Sequence, residues 1–145
     1  MERFFPLQLL IPLPGIKLGL ANVVTLATLI LLGKSYAFSV LVVRCLLGAI
    51  FGGLTGLAFS LTGGLLALTV MCIAAKGKVL SVYGISVLGA ATHNVGQILI
   101  AMALMGSFYV AVYLPWLLLI SILTGLLTGR LVAGILRRMP EEVRA

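Results

Sequence analysis

The sequence predicts an all-α integral membrane protein, a bundle of five transmembrane helices, on three observations. Hydrophobic residues fill 62% of the 145 positions and charged residues only 9%, whereas soluble domains carry about a quarter charged residues. The mean hydropathy of +1.28 is spread over several near-continuous apolar runs, as membrane spans require. The cations stand singly or in pairs where those runs end, as positive-inside loops would hold them.

The elements follow in order. Residues 1–19 read as an outer loop, because Pro12 and Pro14 oppose an interior helix and Gly15 and Gly19 loosen the backbone. The first span is placed at 20–33, closed by Gly33-Lys34-Ser35. Its fourteen residues would rise about 21 Å, short of the roughly 30 Å hydrocarbon core, so it must begin earlier or meet a re-entrant loop. A second span at 36–56 is followed by a Gly/Ser/Thr-rich connection at 57–64 and a third span at 65–75 that takes in some of it. The fourth span is placed at 80–105 and the fifth at 109–136, and 137–145 form a polar tail, all within a single transmembrane domain.

Charge sets the expected orientation. Lys34, Lys76, Lys78, Arg130, Arg137, Arg138 and Arg144 lie at the exits of the odd spans, against Arg3 and Lys17 on the other side. Seven against two places the C-terminus in the cytoplasm of a multi-pass cell-membrane protein. Residues 1–15 have no basic n-region, continuous apolar stretch or small-residue cleavage site, so no secretory signal is read there. An outside N-terminus without a signal suggests a further helix upstream of Met1. The net charge of +7 is not a nucleic-acid signature, because no polybasic face gathers it.

Three groups of residues stand out. Arg44 lies inside the second span, roughly 12 Å deep by helix rise, and no acidic residue occurs between Arg3 and Pro140. An intramembrane arginine costs at least ~2.5 kcal/mol and faces a partner or a wet cavity. Backbone carbonyls, snorkelling to lipid headgroups, or an anion from outside the chain could each meet it. His93, Asn94 and Gln97 bring hydrogen-bonding groups into the fourth span, with His93 and Gln97 on one face. They serve either interhelical hydrogen bonds or a polar ligand. Gly48, Gly52 and Gly56, and Gly125 and Gly129 followed by Ala133, form small-residue faces for helix packing or for docking a second subunit.

Other chemistries find no constellation here. Gly33-Lys34-Ser35 ends like a phosphate-binding loop, but Thr28 stands where its first glycine should be. Paired carboxylates and nucleophile–base pairs are missing, and the chain contains no aspartate. His93 has no Cys, Asp or Glu beside it for a metal site. Cys45 and Cys72 fall inside apolar runs and read as reduced, buried hydrophobes. The expectation is a non-enzyme without cofactor or metal.

Pro14-Gly15-Ile16-Lys17-Leu18-Gly19-Leu20-Ala21-Asn22, Val42-Val43-Arg44 and Ala91-Thr92-His93-Asn94-Val95-Gly96-Gln97 together carry a resemblance. The chain resembles the membrane family called heptaprenyl diphosphate synthase component I, or Gx transporter family, from about Pro12 to Arg138. That family is similar to the substrate-binding S components of energy-coupling factor transporters. The resemblance implies a six-helix S-component-like fold, with the first helix absent from this chain. It also implies a pocket near the outer face, closed by loops at 5–19, 57–63 and 105–109. The expected ligand is a small anionic or prenyl/quinone-precursor-like solute, held by Lys17, Asn22, Arg44, His93, Asn94 and Gln97. Implied partners are the lipid bilayer, a transmembrane T subunit and cytosolic ATPases. The alternative is a non-catalytic accessory of a soluble prenyl synthase, or a scaffold for a membrane redox module.

Overall fold

The computed structural model describes residues 13–143, with side chains from Asn22 to Glu142. It is helical, with no strand among the described residues. The helices are α1 (Leu13–Leu31), α2 (Lys34–Gly77), α3 (Val82–Met105) and α4 (Leu114–Arg138). Short 3-10 turns at Phe108–Tyr113 and Glu141–Val143 precede and follow α4.

Residues 13–19, expected in an outer loop, form the first two turns of α1, and the rest of that expected loop lies outside the described residues. Pro14 sits in the first helical turn, where amides have no intrahelical acceptor, so its missing N–H costs nothing. Inside a bilayer the backbone has no water to bond to, and helix outcompetes the loop that two glycines would allow in water. The earlier start also removes the shortfall in length: 19 residues rise about 28 Å. The helix closes on Gly33, whose amide reaches Thr28 O at 3.1 Å and whose φ of 95° lies where only glycine is unstrained.

A second correction concerns 57–64. No connection occurs there, and those residues are helical. The reversal is made by a single residue, Gly53, with φ 64° and ψ −163°. It divides α2 into a first limb (34–52) and a second limb (54–77). The limbs run antiparallel: Gly64 lies against Leu41 and Arg44, and Lys34 and Lys76 line one groove. Loop composition misled because glycine, serine and threonine also let membrane helices approach closely. Counting the limbs separately, the described residues hold five helical segments, so the five-helix architecture stands although two boundaries move. The loops expected at 13–19 and 57–63 are therefore helix, and of the third only Gly106 and Ser107 form a turn before Phe108.

The remaining caps follow local chemistry. Lys78 takes a left-handed conformation after α2, Ser81 accepts from the Gly84 amide at the start of α3, and Gly106 closes α3 with φ 61°. Pro115 sits in the first turn of α4. Arg137 and Arg138, expected in the tail, form the last turn of α4, where cations complement the helix dipole.

Helix α3 is central. It packs against α2 on one side and α4 on the other, while α1 lies on α2 and α4. Leu26, Leu41, Cys45, Met71 and Val132 fill the core. Outside it, large side chains such as Ile50, Leu54 and Leu123 are exposed, the inverse of a soluble surface. Lys34–Gly77, Val82–Met105 and Phe108–Arg138 are each long and apolar enough to cross a membrane. The protein is an all-α membrane protein.

Candidate functional site

The site is built at mid-height of the bundle, from three helices. Arg44 stands ten residues after Lys34 and nine before Gly53, about 14 Å from either end of its limb. Its Nη1 donates to Asn22 Oδ1 of α1 at 3.4 Å. Its Nη2 lies 3.2 Å from where a Cβ on Gly64 would stand, so the second limb admits the guanidinium by having no side chain there. The chain's three side-chain carboxylates all lie near its ends in sequence, and among the described residues the charge is held by an amide oxygen and close packing.

His93 enters from α3. The residue is 3% exposed. The adjacent glycine, Gly63, makes room for it: a Cβ there would lie 2.9 Å from His93 Nδ1 and 2.8 Å from its carbonyl. The Gly63 backbone lies beside the ring without completing a hydrogen bond, and neither ring nitrogen has a partner among the described residues. An unsatisfied buried polar group costs about 1–3 kcal/mol. Arg44 is near enough to act on the ring electrostatically. Gly63 and Gly64 therefore form a bridge, one glycine receiving the histidine and the next the arginine.

A groove of about 390 Å³ opens beside Arg44 between α1 and the first limb of α2, walled by Val24, Val40, Val43 and Leu47, with Ser39 at its edge. The surface of this groove is almost wholly apolar and suits an apolar body, with the Arg44 guanidinium drawn back toward Asn22 at its border.

The six expected ligand residues divide. Asn22, Arg44 and His93 converge. Asn94 does not join them: its Nδ2 donates to Leu117 O of α4 at 2.9 Å, an interhelical tie. Gln97 is half-buried one turn beyond His93. Lys17 lies on α1, with its side chain outside the described residues. The glycine series divide too. Gly125 and Gly129 press on the backbones of Val87 and Tyr83 of α3, so they serve packing within the chain. Gly52 faces open space and Gly48 and Gly56 make only ordinary contacts. Sequence reasoning missed Gly63 and Gly64. The available signal was the helical spacing of small residues at Gly56, Ser60, Gly63 and Ala67.

The family model described as heptaprenyl diphosphate synthase component I matches residues 1–135. The chain belongs to that family. The match includes all four helix starts and the whole of the Asn22–Arg44–His93 cluster, and ends within the last turn of α4. No curated protein and no solved structure matches the chain. Among the described residues, the polar cluster at mid-height has one charged member, Arg44.

Proposed function

We propose that the protein is a substrate-binding membrane subunit of the energy-coupling-factor type, taking up a small anionic solute with an apolar, prenyl- or quinone-precursor-like body. The observation that carries this reading is Arg44, held at mid-height by Asn22 with no carboxylate beside it among the described residues, at the border of an apolar groove. Such a charge is expensive in a bilayer unless something anionic meets it. His93, whose ring nitrogens have no partner among the described residues, is the second polar contact. Arg44 fixes the anion, His93 orients it, and the valines and Leu47 take the apolar part. The chain binds and does not catalyse; a transmembrane T subunit and cytosolic ATPases supply the energy. The C-terminus and the basic end of the bundle face the cytoplasm by the positive-inside rule.

The test is thermal stabilisation of the purified protein by anionic vitamins, quinone precursors and isoprenoid diphosphates. A stabilising ligand whose effect disappears in Arg44→Ala and weakens in His93→Ala supports the reading. Absence of any stabilising ligand, or one indifferent to Arg44→Ala, sinks it.

The family's description favours a second reading, a non-catalytic membrane accessory that holds a soluble prenyl synthase. Purification from native membranes separates the two. Co-purifying ATPases with a T subunit indicate transport, and a soluble prenyl synthase alone indicates the accessory.

A further inference from the structure

A second cationic feature lies at the far end of α2, independent of the Arg44 cluster. Lys34 opens the first limb and Lys76 nearly closes the second, and the hairpin brings their amino groups beside each other. Like charges repel, and two lysines 42 residues apart in sequence come to line one groove only through the fold. Among the described residues the titratable neighbours of Lys34 are Lys76 and Cys72, with no carboxylate to neutralise the pair. From the lysines a groove of about 370 Å³ runs between the limbs, lined by Phe38, Leu65, Leu68 and Ile73. The feature thus has two parts, a doubly cationic mouth and an apolar trough facing the bilayer.

The same end of the bundle carries Lys78 and, at the close of α4, Arg137 and Arg138. It therefore lies at the depth of the lipid headgroups, where cations are stable and phosphates abundant. We propose that the groove between the limbs of α2 is a binding site for an anionic phospholipid, its phosphate between Lys34 and Lys76 and one acyl chain along Phe38, Leu68 and Ile73. Charge complementarity selects the occupant. A zwitterionic lipid brings its own cation into a mouth that already holds two, whereas an anionic lipid removes the repulsion. Bound there, the lipid ties the two limbs together at the end opposite Gly53, where no covalent turn does so.

The experiment is quantitative lipid retention by the full chain, purified in mild detergent after equilibration with equal amounts of phosphatidylglycerol and phosphatidylcholine of matched acyl chains. At least a fivefold preference for phosphatidylglycerol is expected. Lys34→Gln with Lys76→Gln should bring the ratio close to one, and Lys34→Arg with Lys76→Arg should preserve it. Ile73→Trp, at a position 65% exposed, should fill the trough and reduce retention with both lysines intact. Soluble glycerol phosphate should not compete. Equal retention of the two lipids overturns the proposal, as does an unchanged ratio in the glutamine pair while its melting point in phosphatidylcholine matches the parent. Competition by glycerol phosphate also overturns it, by showing a headgroup-only site. Loss of the preference in Arg44→Ala would instead move the lipid to the mid-membrane cluster.

Discussion

On one side of the bundle, α3 meets α4 and the second limb of α2 through glycines with no room to spare. A Cβ on Gly125 would stand 2.6 Å from the Val87 Cα, and one on Gly96 2.7 Å from the Gly63 Cα. On the other side, α1 and the first limb of α2 share the core through Leu26 and Leu41 but leave a groove of about 390 Å³ along their outer edge. The tight side is backbone against backbone, with dispersion and excluded lipid as its attraction. The grooved side keeps an ionised side chain, Arg44, beside an apolar recess. Close backbone packing and the proposed binding thus fall to different helix pairs, and His93 marks their border, anchored in the tight seam near Arg44.

Substitutions can break or sharpen that contrast. The largest effect is expected from Gly125→Val, which forces α4 off α3 at a backbone contact. Overpacking of this kind costs about 3 kcal/mol, so the thermal midpoint in detergent should fall sharply. An unchanged midpoint would mean that the seam is not close-packed. Next comes Arg44→Ala. It removes a charged hydrogen-bond donor, an interaction worth about 2 kcal/mol, and should weaken ligand binding roughly thirtyfold in a titration. The ligand-free midpoint should hold or rise, because the in-span charge is gone. A fall in both would make Arg44 structural.

Asn94→Ala should act in the opposite sense. Loss of the bond to Leu117 O should lower stability by about 0.6 kcal/mol and leave ligand affinity unchanged; a change in affinity alone would return Asn94 to the site. The smallest effect belongs to Gly52→Ala. A Cβ there meets nothing within 4 Å, and alanine exceeds glycine in helix propensity by at most about 1 kcal/mol, so the midpoint should stay or rise slightly. A large fall would reveal a contact at the Gly53 hairpin.

The sequence alone determined the solvent. Composition, apolar runs and cations at their ends fix a helical membrane bundle, because a bilayer admits only helices and closed barrels, and runs this long and continuously apolar lack the alternation of barrel strands. Arg44 and His93 were legible as well, since a polar side chain is conspicuous within an apolar run. Which polar residues meet was decided only by the tertiary structure. Asn94 and His93 are adjacent in sequence, yet 100° of helix rotation turns one to α4 and the other toward α2. Gly53 and Gly63 look alike in composition, but one reverses the chain and the other receives a histidine. Gly48-x-x-x-Gly52 and Gly125-x-x-x-Gly129 share a spacing, and only the second has a backbone pressed against it. The physical reason is common to all three: a small residue permits close approach without specifying it, and the partner is chosen by how the helices cross.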